Sequence, residues 1–181
     1  MTNLEELETT DPETGQVNAI IESPKGSRNK FNYEPERGLF RLGKVLPAGS
    51  VFPFDMGFLP SPRGEDGDPL DVLVLMDAPV FPGCLVEARL IGVIEAEQTE
   101  RDGQTTRNDR LIAVAGVAHS HKSIEALDHL EDSTVAEIEQ FFVSYNALAG
   151  KEFKPTGRGG PDRARELVEE GKRRYATSSP A

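Results

Sequence analysis

The chain has a single cysteine, Cys84, in 181 residues, so no disulfide can form within it. That usage fits a reducing compartment. No apolar run approaches the ~18 residues of a membrane-spanning helix. The opening MTNLEELETTDPETG is acidic and lacks the apolar core of a secretory signal. Together these features point to the cytoplasm and away from a membrane. Basic residues are also scarce: 20 Lys and Arg stand against 31 Asp and Glu, a net charge of −11. A general nucleic-acid binder usually carries a basic field, so that class is disfavoured. The imbalance is uneven, because residues 151–181 hold 8 basic and 5 acidic side chains, leaving 12 and 26 for residues 1–150. The basic stretch is short and mixed in sign, as in a solvated helix.

Hydrophobic residues at 37% and charged residues at 28% fit a soluble globular protein with a core of its own. Residues 1–16 are polar apart from Leu4 and Leu7 and read as a flexible acidic tail or one loose turn. Residues 17–181 read as a single domain. Six β-like runs are expected at Val17–Glu22, Leu39–Val45, Val51–Phe58, Leu70–Met76, Cys84–Glu95 and Arg110–Ala118, punctuated by Gly, Pro, Asn and Asp. Helical periodicity comes late. Val135, Ile138, Phe141, Phe142, Tyr145 and Leu148 share one helix face, with Asp132, Ser133 or Thr134 as cap and Gly150 as stop. A second helix is expected to begin at Pro161. Strands first and helices last predict an α+β domain, a small β-barrel with flanking C-terminal helices.

The most informative segment is EDGDPLDVLV, residues 65–74. Asp71 lies inside the apolar run of a strand, where a lone charge is costly. Asp66 and Asp68 share a face in extended chain and Asp71 has the opposite parity. Gly67 and Pro69 break the pleat, which allows the three carboxylates to converge. Convergence without a cation is unfavourable: two unit charges ~4 Å apart repel by about 4 kcal/mol at an effective dielectric near 20. Clustered carboxylates without cysteine are hard oxygen donors suited to Mg²⁺, Ca²⁺ or Mn²⁺. An EF-hand loop is excluded, because Asp71 stands where that loop needs glycine. The plain alternative, a solvated acidic turn, leaves Asp71 unexplained.

The run Asp66-Gly67-Asp68-Pro69-Leu70-Asp71-Val72 resembles the signature of the soluble, Mg²⁺-dependent inorganic pyrophosphatases of the OB-barrel family. Ile21-Glu22-Ser23-Pro24-Lys25-Gly26-Ser27-Arg28-Asn29-Lys30 is similar to that family's first acidic strand and basic loop. Weaker echoes are Phe81-Pro82-Gly83, Arg110–Val114 and Phe141-Phe142…Tyr145. Order and spacing hold over residues 17–150. The resemblance implies a five-stranded OB-type barrel, hydrolysis of pyrophosphate to two phosphates, Mg²⁺ (or Mn²⁺) as cofactor, and a homohexamer. It implies Asp66 and Asp71 as metal ligands, Asp68 as general base, and Glu22 as the residue orienting an outer metal or its waters. Lys30, Lys44, Arg110 and Tyr145 would hold phosphate oxygens. A substrate with up to four negative charges needs this mixture of cations and metal-bearing carboxylates.

Several positions depart from the family pattern. Asn32 replaces an acid, Lys44 an arginine, Phe52 and Met56 tyrosines, and Asn146 a lysine. The resemblance also implies two metal-binding aspartates within residues 95–110. Simple alignment places Asn108 at the second and Gln98 near the first. Asp109 is the favoured substitute ligand and Glu97 the next, with exposed hairpin charges as the plain reading. These departures suit a divergent enzyme with a rearranged site. A non-catalytic homologue that binds metal–phosphate compounds on the same barrel is the alternative.

Overall fold

The computed structural model describes residues 3–178, with the side chain of Ser178 left aside. Nine strands form: β1 Val17–Ser23, β2 Asn29–Glu34, β3 Leu39–Val45, β4 Asp55–Arg63, β5 Pro69–Leu75, β6 Leu85–Thr99, β7 Thr105–Arg107, β8 Arg110–Ala115 and β9 Glu152–Gly159. Two helices follow the barrel strands, α1 Asp132–Ala147 and α2 Pro161–Ser178. Strands β1, β4, β5, β8 and β6 pair in that order, and β6 pairs back to β1, closing a five-stranded ring. Every pairing in the ring is antiparallel except β5 with β8. This is the expected α+β barrel of OB type.

Its core has a simple origin. Both β5 and β8 are runs of Val, Leu, Ile and Ala, and Val72–Leu75 and Leu111–Ala115 are fully buried. The 15-residue β6 runs past β1 and β8 at one end and carries β7 and β9 at the other. Helix α1 packs on β9, and α2 on β4 and β6. Gly57 lets β1 and β4 approach closely: a Cβ there would stand 1.9 Å from the Ile20 carbonyl oxygen. Gly57→Ala is therefore expected to cost about 1–3 kcal/mol or more through overpacking. A melting temperature within a degree of wild type would contradict this.

Three short strands have no counterpart among the expected runs. β2 is polar, β7 has three residues, and β9 reads EFKPTGRG. The run expected at Val51–Phe58 enters the ladder only at Asp55. Pro53 lacks the N–H a ladder needs, although Phe52 exchanges backbone hydrogen bonds with Gly26 and Ser27. None of the expected residues caps α1 from outside. Its N-cap is Glu131, with no side-chain cap bond, and Asp132 pairs with Arg158 from within the first turn.

The N-terminal segment is packed, not loose. Leu4–Glu6 forms a 3-10 turn, the Thr9 hydroxyl donates to the Pro60 carbonyl, and Ser61 Oγ donates to the Leu7 carbonyl. Glu5 pairs with Arg63 at 2.7 Å. These partners lie on β4, and the Tyr33 hydroxyl of β2 accepts the Leu4 N–H, so a reading of residues 1–16 alone could not see them.

Candidate active site

The acidic turn owes its shape to a break in the β4–β5 ladder. Pairing runs regularly to Phe58↔Asp71, then jumps to Arg63↔Pro69. Residues 59–62 bulge in the gap, with Ser61 at a φ of 72°. Gly64 N–H donates to the Asp68 carbonyl and Gly67 N–H to the Gly64 carbonyl, and Gly67 takes a φ of 86°. This closes a turn that displays Asp66 and Asp68 to solvent at the barrel mouth. Asp66 Oδ1 accepts the Asp68 N–H at 3.1 Å.

The parallel register supplies the next part. Val72 lies beside Leu111 in the β5–β8 ladder, so the preceding residues, Asp71 and Arg110, also meet. Arg110 Nη1 lies 2.5 Å from Asp71 Oδ2 and 2.5 Å from Asn108 Oδ1. The guanidinium is almost wholly buried and stacks over the Phe142 and Phe153 rings at 4.9 and 5.2 Å. Its Nε is buried with no hydrogen-bond partner among the described residues. Arg110 is thus the partner that accounts for a carboxylate in the apolar strand. The two residues are 39 apart in sequence, and no local pattern announces the pair.

Opposite them, β1 and β2 bring up Glu22, with Oε2 3.0 Å from Lys30 Nζ and Oε1 accepting the Tyr33 N–H at 2.7 Å. Lys44 Nζ sits 3.9 Å from the centre of the Tyr145 ring. Partial desolvation, then the like charges of Lys30 and Lys151, hold the Lys44 ammonium below its ordinary pKa. Burial, followed by the Asp71 charge, pushes the Tyr145 hydroxyl up to about 12. Partial desolvation at the barrel mouth is the first cause raising the Asp66 and Asp68 carboxyls above the usual range. Neighbouring carboxylates add to it, Asp68 and Asp71 on Asp66, and Asp71 on Asp68. Two accessible carboxyls crowded in this way, with no ion pair among the described residues, form a hard donor set short of positive charge. That fits a divalent cation. Among the described residues no three His, Cys, Asp or Glu side chains close on one point. The convergence expected of Asp66, Asp68 and Asp71 is therefore incomplete, because Asp71 is turned to Arg110.

Of the expected site residues, Glu22, Lys30, Lys44, Asp66, Asp68, Asp71, Arg110 and Tyr145 border this mouth. Asp109 and Glu97 do not join it. Asp109 Oδ1 accepts the Ala96 N–H and Oδ2 holds Arg107 Nε at 2.6 Å. Glu97 is exposed opposite Arg107 in the β6–β7 ladder. Alternation along β6 turns Gln98 inward where Glu97 points out, and in the link between β7 and β8 it is Asn108, bonded to Gln98, that meets Arg110. Lys151 is an addition that the sequence reading passed over. It follows Gly150, pairs with Glu100 at 2.8 Å, and acts electrostatically on both Lys44 and Asp68. Asn146, where the family resemblance puts a lysine, is buried and donates to the Phe142 carbonyl.

A family model described as inorganic pyrophosphatase matches residues 19–176. The chain belongs to the inorganic pyrophosphatase family. The inorganic pyrophosphatase of a Synechocystis strain is 35% identical over 164 residues, 91% of this chain and 94% of that one. That of Thermus thermophilus is 38% identical over 154 residues, 85% of each. The crystal structure of the Thermus thermophilus inorganic pyrophosphatase superposes with a TM-score of 0.87 at 36% identity, over 97% of this chain and 99% of that chain. The Helicobacter pylori inorganic pyrophosphatase gives 0.83 at 30% identity, over 94% and 98%. Membership in the pyrophosphatase family makes two neutral positions notable. Gln98 and Asn108, the positions where the resemblance implies metal-binding aspartates, are joined by an Asn108 Nδ2 to Gln98 Oε1 hydrogen bond of 3.0 Å.

Proposed function

We propose that this chain hydrolyses inorganic pyrophosphate to two phosphates. The observation that carries the reading is the meeting of two sets of side chains in one network: the carboxylates Asp66, Asp68 and Asp71, and the donors Lys30, Lys44, Arg110, Tyr145 and Lys151, with Arg110 joining the two through its pair with Asp71. A polyanion binds the second set, and a divalent cation, Mg²⁺ with Mn²⁺ as substitute, binds the first. Asp66 and the Asp71 oxygen not engaged by Arg110 are the ligands. When bound, such a metal neutralises phosphate charge and lowers the pKa of a water. Asp68, on the same turn and with no ion pair among the described residues, would take the proton of an attacking water. Glu22 orients surrounding waters and is itself fixed by Lys30 and the Tyr33 N–H. Arg110 Nε, lacking a protein partner, is left to donate to a phosphate oxygen.

A phosphate-release assay with pyrophosphate and Mg²⁺, Mn²⁺ or Ca²⁺ tests the reading. Release no greater than that of Asp68→Asn would sink it. Lys151→Ala is expected to raise KM for pyrophosphate about tenfold with a smaller change in kcat, since it removes one charge-assisted contact. An unchanged KM would remove Lys151 from the phosphate side. The protein is further read as a cytoplasmic homohexamer. Exposed Leu39, Leu42 and Val45 along β3 support association, and light scattering reads the assembly size.

A further inference from the structure

The Gln98–Asn108 pair changes what the site can hold. The contacts form one connected line: Lys151 to Glu100, Gln98 Nε2 to Glu100 Oε1 at 2.6 Å, Asn108 Nδ2 to Gln98 Oε1, and Arg110 Nη1 to Asn108 Oδ1 and Asp71 Oδ2. Each amide oxygen in this line already accepts a hydrogen bond from the next member. Neither amide brings the negative charge that a divalent ion needs from a hard oxygen ligand. At the end of the line stands the positively charged Arg110 guanidinium. It is held in place by burial and by two aromatic rings. The cation between Asp71 and residue 108 is already supplied by the protein.

We propose that this chain binds divalent ions only on the Asp66–Asp71 side of the mouth. Arg110, locked by Asn108 and Gln98, fills the place a further metal would take on the other side. The inference deepens the pyrophosphatase reading of this site: the enzyme works with a reduced metal complement, and a fixed arginine supplies part of the positive charge that the substrate meets.

The test is ion counting, which needs no turnover. The metal-free protein is titrated with Mn²⁺, and free ion is measured by electron paramagnetic resonance. A Gln98→Asp/Asn108→Asp double variant is expected to take up one more Mn²⁺ per chain than wild type, at an affinity at least about tenfold above any residual wild-type binding there. Asn108→Ala is expected to leave the wild-type count unchanged. Equal counts and affinities in wild type and the double variant overturn the inference. Loss of an ion in Asn108→Ala overturns it as well, and this arm remains if the double variant fails to fold by circular dichroism. The two readings fail separately: absence of phosphate release refutes pyrophosphate hydrolysis, whereas the Mn²⁺ count alone decides the metal complement.

Discussion

Asp68→Asn should lower phosphate release from pyrophosphate about 10²–10⁴-fold, the usual contribution of a positioned general base. The fold should survive the change. The Asp68 side chain stands open to solvent on the turn, and its closure runs through the Asp68 backbone carbonyl and Gly64 N–H, which asparagine keeps. The carboxyl is held above its ordinary pKa by partial desolvation and then by Asp71. A group whose folded pKa is raised is less favourable in its charged form in the native state than in the unfolded chain. Removing the charge at neutral pH therefore relieves a small penalty, and the melting temperature should stay level or rise. A variant that loses activity together with several degrees of melting temperature would point to a structural role for Asp68. A variant that keeps more than about a tenth of the rate would remove Asp68 as the base.

Arg110→Gln should damage both catalysis and stability. The side chain neutralises Asp71, covers two aromatic rings and leaves one buried donor, Nε, for the substrate. Glutamine can replace one hydrogen bond but not the charge. Asp71 is partly exposed, so the cost of stranding it falls below the ~3–5 kcal/mol seen when a fully buried pair loses one member. A loss of about 1–3 kcal/mol is expected, and kcat/KM should fall about 10²-fold or more. Denaturant melts and steady-state kinetics separate the two effects. An Arg110→Lys control keeps the charge and loses the planar fork. If it restores stability but not kcat/KM, the geometry of the donors matters to the substrate. Full activity in Arg110→Gln would contradict a phosphate-facing role.

How much of this could be read from residues alone depends on the range of the interaction. The acidic turn was legible, because Asp-Gly-Asp-Pro dictates a local bend whatever surrounds it. The two helices were legible for the same reason, through the periodicity of Val135 to Tyr145 and the Pro161 start. The strands in and around the barrel were less so. β9 hides behind lysine, proline and glycine because an outer strand on β6 has only one face to bury: Phe153 is covered and its neighbours are not. The partner of Asp71 was out of reach, since a parallel register between β5 and β8 is a property of the closed sheet. The same limit explains the choice between Asn108 and Asp109. The two residues form the link between β7 and β8, and which of two adjacent side chains turns to Arg110 there is set by how those strands sit on β6. The contacts of the N-terminal turn are not legible locally, because its partners, Tyr33, Ser61 and Arg63, come from β2 and β4.

The long strand β6 has a consequence for how the molecule opens. Its backbone is hydrogen-bonded to β1, β8, β7 and β9 along its length. β6 cannot leave without breaking the ring, since it closes both the β1 and the β8 pairing. The β2–β3 hairpin is different: it forms its own two-stranded sheet, and β3 is largely exposed. In deuterated solvent, amides along residues 88–94 should exchange only through global unfolding, while those of residues 39–45 should exchange through a much cheaper local opening wherever β3 is not covered by a second copy. The hairpin carries Lys30 and Lys44. In the single chain these two lysines thus sit on the part that opens first, while Asp71 and Arg110 sit on the ring strands β5 and β8.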